Sequence, residues 1–189
     1  DAGRNAMRRK GDVIVMGESR DRESVTASFE MALSGHAVYS TLHADTPAET
    51  FARMVSFFPE DSQPAAANKL LSTLKLIVAQ KLERRTDGKV AAIRSWLVID
   101  REVKRRLGST PFHTWGTLVE DILNERGTSF EAQTLPLVND GSLDFESFRR
   151  LTNMTTREAI VYLEDRNAGH AIPQEIRADF ANNADATGT

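Results

Sequence analysis

Val13-Ile14-Val15-Met16-Gly17-Glu18 is the stretch on which the fold turns. A continuous apolar run of this length, rich in β-branched side chains, predicts a strand covered on both faces, as in a parallel sheet. Asp12 bounds it on one side, and Glu18-Ser19-Arg20-Asp21 on the other. In open α/β sheets, groups just past the carboxyl end of a strand face the ligand crevice. Glu18 stands where a carboxylate can accept a hydrogen bond from a water and align it for in-line attack on a γ-phosphate. Gly17 leaves room for the backbone to approach a phosphate closely. The same pattern also fits an ordinary solvated strand end, so a second element has to decide.

That element lies downstream. Asp21 can cap a helix whose apolar positions include Val25, Phe29, Ala32 and Leu33, and Gly35 stops it. Ala37 to Leu42 is the next strand, and His43 stands at its carboxyl end, 25 positions after Glu18. If the two strands run parallel, the acid and the imidazole share one edge of the sheet. An imidazole there can donate to a phosphate oxygen and so report whether a γ-phosphate is bound. His36 opens the same strand, which puts it on the opposite edge in a structural role.

Further along, Thr46-Pro47-Ala48-Glu49 is a capping box with proline in the first helical position, and its helix should run to about Phe57. Ala67, Leu70, Leu71, Leu74, Ile77 and Val78 follow a helical stripe, which predicts one long helix over 64–83. Thr86 to Lys89 reads as a turn, and Val90–Ile93 and Trp96–Ile99 as strand material. The order β-α-β-α-α-β gives an α/β fold class. Beyond residue 101 the pattern is helical only, with helices marked by Trp115 to Leu123, by Phe145 to Leu151 and by the capping box at Thr155. The expected parts are an α/β core over 1–100, a small helical bundle over 101–168 and a disordered tail over 169–189. Asp1 is not a start Met, and Arg4-Asn5-Ala6-Met7-Arg8-Arg9 reads as the end of a helix already under way, so a C-terminal piece of a longer chain is expected.

Composition narrows the function classes. The 189 residues carry a net charge of −3, which argues against a general nucleic-acid binder. There are no cysteines, so a disulfide scaffold, a thiolate metal site and a Cys nucleophile are excluded. The four histidines show no i, i+4 pairing, and no metal site is expected. No apolar run reaches the roughly 18 residues of a membrane span. Charge is uneven: residues 81–106 hold nine basic and four acidic side chains, and residues 118–189 hold six basic and thirteen acidic ones. Two parts of opposite sign can attract each other or a neighbouring subunit.

Asp12 to Asp21, followed by Ala32-Leu33-Ser34-Gly35-His36 and Ser40-Thr41-Leu42-His43, resembles the secretion ATPase superfamily, which includes type II secretion ATPases, pilus-retraction motors and type IV secretion ATPases. Arg4 to Arg9 fits the family's helix before the first strand, and Leu76 to Leu82 and Gln133-Thr134-Leu135 fall where retraction-type members have similar segments. The resemblance implies that the chain is the C-terminal portion of a RecA-like P-loop ATPase sheet followed by a small helical bundle. It implies Glu18 and His43 as catalytic residues, Glu18 in an atypical Walker B and His43 as the second histidine of a His box. It also places Gly17 and Arg20 at the nucleotide, Arg20 either ion-paired or reaching across a subunit boundary.

The implied cofactors are ATP and Mg²⁺, with most ligands upstream. The implied partners are five further copies in a homohexamer and inner-membrane platform or secretion-complex proteins, with no direct nucleic acid. The implied place is cytoplasmic, at the bacterial inner membrane. Ala92 to Val98 looks closest to the Dot/Icm-type and conjugal-transfer branch, and Arg94 stands where retraction motors commonly have Glu. The family's P-loop and Asp box are not found: only 16 residues precede Gly17. This stretch alone is therefore expected to be inactive. A pilus-retraction or type II secretion motor, or a non-catalytic oligomerising scaffold of the same fold, is the alternative.

Overall fold

The computed structural model describes residues 12–186, and the helix expected over Arg4 to Arg9 lies outside them. In chain order the elements are β1 (Val13–Glu18), α1 (Arg22–Leu33), β2 (Ala37–Thr41), α2 (Pro47–Ser56), α3 (Gln63–Thr73), β3 (Leu76–Arg84), β4 (Val90–Val98), α4 (Arg101–Gly108), α5 (Trp115–Arg126), α6 (Phe130–Asn139), α7 (Phe145–Thr152), α8 (Thr156–Asp165) and α9 (Gln174–Ala186). The fold is mixed α/β. It divides into two compact units, one of residues 12–79 with 96–127, the other of 80–95 with 128–186. The boundary expected at residue 100 therefore shifts: α4 and α5 belong with the first unit and not with a C-terminal bundle.

In the first unit, β1 and β2 pair in parallel, Val13 opposite Ala37, Ile14 opposite Val38 and Val15 opposite Tyr39. Asp21 caps α1 with a full capping box, accepting from the Ser24 N–H at 2.8 Å. The inner face of α1 buries Val25, Ser28 and Phe29, and the Ser28 hydroxyl reaches the Met16 sulfur of β1. The core continues through Phe51 and Val55 of α2, Leu70 of α3, Leu107 of α4 and Trp115, Val119 and Ile122 of α5. Phe51 and Trp115 meet edge to face at 5.6 Å, and the indole N–H donates to the Leu107 carbonyl at 2.8 Å. The expectation that β1 is covered on both faces is corrected. Val13 and Val15 are exposed, Val15 at 77%, because only the even-numbered positions face α1 and the core.

The long helix expected over 64–83 is corrected too. α3 stops at Thr73, where Leu74 turns extended with ψ 138, and β3 begins at Leu76. Ile77 and Ala79 are buried while Leu76, Val78 and Gln80 are exposed, a period of two that a helix would not give. A helical stripe and a strand alternation overlap in this sequence, and the β-branched pair Ile77-Val78 favours the strand. β3 and β4 pair across Arg85–Lys89, a connection short enough to require the antiparallel arrangement.

In the second unit, α6 and α7 pack on each other, as do α7 and α8. Val138, Leu143, Phe145, Phe148, Leu151, Ile160 and Leu163 are buried there. α6 escaped the sequence pattern because Pro136 sits inside it. Residues 169–189, expected to be a disordered tail, instead form a 3₁₀ turn at Gly169–Ala171 and α9 over their described part. Ala168 and Ile172 are the buried anchors that make this possible. Among the described residues, no helix is long and apolar enough to cross a membrane.

Candidate functional site

The parallel pairing of β1 and β2 carries both strand ends to one edge of their sheet. Glu18 ends β1, Thr41 ends β2, and His43 follows two residues later. The structure brings the acid and the imidazole together: His43 Nε2 lies 3.1 Å from Glu18 Oε1. With the proton on Nε2, the imidazole donates to the carboxylate. The second carboxylate oxygen accepts from Arg20 Nε at 2.7 Å. The carboxylate is thus flanked by two donors. Its own side chain is 21% exposed, while Arg20 and His43 are 75% and 87% exposed.

An ion pair this open to water contributes about 0–1 kcal/mol. Stability is therefore a poor reason for the cluster, and Arg20 and His43 lie open to a ligand beside the largely covered Glu18 carboxylate. Three residues beyond Glu18, the Asp21 carboxyl is held below its usual range, first by the Ser24 amide and then by its hydroxyl. That carboxylate is committed to capping α1.

Gly17 immediately precedes Glu18 on β1. A Cβ built there meets no heavy atom within 4 Å, so internal packing does not demand the glycine. Sequence patterns missed the polar groups that tie the strand ends together. The Ser19 N–H donates to the Thr41 carbonyl at 2.8 Å, and the Ser19 and Ser40 hydroxyls pair at 2.8 Å. The Thr41 hydroxyl donates to the Gly17 carbonyl at 2.5 Å. A polar Ser-Thr pair at the end of a strand was the available signal.

The other histidines lie elsewhere. His36 opens β2 and its Nδ1 meets the Ser34 hydroxyl at 2.8 Å, the local role expected of it. His113 packs edge-on to Phe112, and His170 meets the Asn139 carbonyl. Among the described residues, no three His, Cys, Asp or Glu side chains gather to hold a metal ion. Glu18 is one carboxylate that can reach toward a Mg²⁺ shell, and further ligands would have to come from other groups. A hollow of about 210 Å³ in the first unit, lined by Phe51, Val55, Phe112 and Trp115 among others, shares no residue with this cluster.

Residues 1–147 match the family model described as Type II/IV secretion system protein. Among curated relatives, the type IV pilus retraction ATPase PilT of Pseudomonas aeruginosa is 34% identical over 93 residues, 49% of this chain and 27% of its own. Among solved structures, the ATPase DotB of Yersinia pseudotuberculosis superposes with a TM-score of 0.78 at 32% identity, over 82% of this chain and 40% of that one. The pilus retraction motor PilT with bound ADP superposes at 0.70 and 25% identity, over 79% of this chain and 42% of that one. The chain spans about a quarter of the length of the curated relatives it matches first.

Proposed function

The chain belongs to the type II/IV secretion system protein family, and from that premise we propose that it supplies the Walker B and His-box side of an ATP-hydrolysing site in a secretion motor. The observation that carries this is the 3.1 Å approach of His43 Nε2 to Glu18 Oε1 at the carboxyl edge of two parallel strands. A carboxylate there accepts a hydrogen bond from water and turns it toward the γ-phosphate. The imidazole, mostly exposed, can exchange its bond to Glu18 for one to a phosphate oxygen. That exchange would tell the protein whether the γ-phosphate is present. Arg20 holds the other carboxylate oxygen and restricts the rotamers from which Glu18 acts. Mg²⁺ bound with ATP would neutralise phosphate charge, with Glu18 reaching toward its shell and its ligands coming mostly from outside this cluster.

In this proposal the working unit is a homohexamer at the cytoplasmic face of the bacterial inner membrane, coupled to platform or secretion-complex proteins. The superposition on DotB supports a Dot/Icm-like or conjugal role, and the curated PilT relative, 34% identical over 93 residues, keeps pilus retraction as the alternative. The test is Glu18→Gln in the full-length protein. ATP turnover should fall by about 10²- to 10⁴-fold, the usual loss when a positioned acid–base group is removed, while ATP binding persists. Wild-type turnover in this variant would refute the assignment.

A further inference from the structure

The register between β1 and β2 slips just before the site. Val15 stands opposite Tyr39, but Glu18, not Gly17, stands opposite Thr41. One extra residue is therefore inserted in β1 across Met16–Gly17. A bulge of this kind bends its strand and re-aims the side chains that follow. In unbroken register Gly17 would face Thr41, and Glu18 would stand one place beyond it.

A bulge leaves backbone groups without their ladder partners, and here side chains take them up. The Gly17 carbonyl accepts from the Thr41 hydroxyl. Immediately after, the Ser19 N–H returns to the Thr41 carbonyl, and the Ser19 hydroxyl, in a residue only 2% exposed, pairs with Ser40. These bonds fasten residues 17–19 to residues 40–41, the backbone from which Glu18 and His43 both project. Thr41 itself is exposed and anchors no apolar core.

We propose that Thr41, together with the Ser19–Ser40 hydroxyl pair, is a positioning element: it locks the Met16–Gly17 bulge and thereby sets the distance between Glu18 and His43. The proposal rests on the nucleotide-site reading above, and the test separates the two. Steady-state ATP hydrolysis and thermal unfolding are measured on the full-length protein for Thr41→Val, Thr41→Ser and Glu18→Gln. Valine keeps the β-branched shape and strand preference but cannot donate to the Gly17 carbonyl. Misplacing a catalytic group by about 1 Å can cost up to about 10²-fold. Thr41→Val should lower kcat by about tenfold, with KM for ATP within about twofold and an unchanged unfolding midpoint. Thr41→Ser, which keeps the hydroxyl, should recover most of the lost kcat.

Wild-type turnover in Thr41→Val beside an inactive Glu18→Gln removes the positioning role and leaves the site standing. A loss in Thr41→Val that follows a fall in unfolding midpoint and is not recovered by serine marks a structural role and overturns the proposal. An active Glu18→Gln overturns the site and the positioning role together.

Discussion

The two units use polar side chains differently. In residues 80–95 with 128–186, such groups close local structure: Asp144 caps α7, Thr155 and Glu158 cap each other at α8, and the Lys81 ammonium donates to the last-turn carbonyl of Leu151. Arg150 pairs with Glu83, and Arg85 with the Ser142 hydroxyl. The first unit has its structural caps too, at Asp21, Thr46 and Asp100. It also holds a cluster with no such duty. The Glu18, Arg20 and His43 side chains cap nothing and lie open at a strand edge. Polar groups that contribute little to stability are the ones to test for chemistry.

The largest expected effect on the other side of this comparison is Phe148→Ala. Phe148 is fully buried, with its ring 5.6 Å from Tyr162. Removing it should cost about 3–5 kcal/mol of unfolding free energy, read by chemical denaturation. Molecules that stay folded should still carry the intact Glu18–His43 pair. If turnover per folded molecule fell as far as in Glu18→Gln, the division between a scaffold unit and a reactive unit would break.

The part proposed to be reactive was the more legible of the two in the sequence. Glu18 and His43 could be placed on one edge because a five-residue apolar run and a second strand each ended in a polar group. Parallel pairing then left them adjacent. What escaped was set by features that composition hides. The bulge at Met16–Gly17 moves Glu18 by one register step, and no local propensity announces it. The helical stripe read over 64–83 ran into a strand alternation from residue 76, so tertiary burial of Ile77 and Ala79 had to choose. Pro136 concealed α6, and the short apolar anchors Ala168 and Ile172 were too sparse to predict order after residue 169. Thr46 shows a smaller difference of the same kind. It accepts from the Glu49 N–H as expected, but the Glu49 carboxylate accepts from Asp45 rather than closing the box.

Two glycines sharpen the comparison next. At Gly127, which ends α5, an added Cβ would sit 2.6 Å from a Leu123 methyl and 2.8 Å from the Trp96 carbonyl oxygen. Gly127→Ala forces backbone to move and should cost about 1–3 kcal/mol, seen as a lower unfolding midpoint. At Gly17 the same methyl meets open space. Gly17→Ala should leave the unfolding midpoint unchanged and, on the proposed reading in which the backbone here meets a phosphate, raise KM for ATP. Equal losses of stability in the two variants would show that Gly17 serves packing after all.

The smallest effect probes a carboxylate whose partners are purely structural. The Thr155 N–H and hydroxyl each donate to the Glu158 carboxylate at 2.8 Å, and the Glu158 N–H returns to the Thr155 hydroxyl oxygen. These donors, the backbone N–H first, hold the Glu158 carboxyl below its ordinary value of 4.5. A carboxyl whose folded pKa is depressed contributes stability in full above its unfolded value and loses it as pH falls through the lower folded one. Thr155→Ala removes the α8 N-cap and should cost about 1 kcal/mol at neutral pH, the usual worth of such a cap. The gap between variant and wild type should narrow as denaturation is followed from neutral pH down through the depressed folded value, below which protonated Glu158 no longer completes the box. ATP turnover at neutral pH should not change. A turnover that fell with this cap would mean that the second unit feeds the Glu18 site, and the contrast between the two units would have to be redrawn around that coupling.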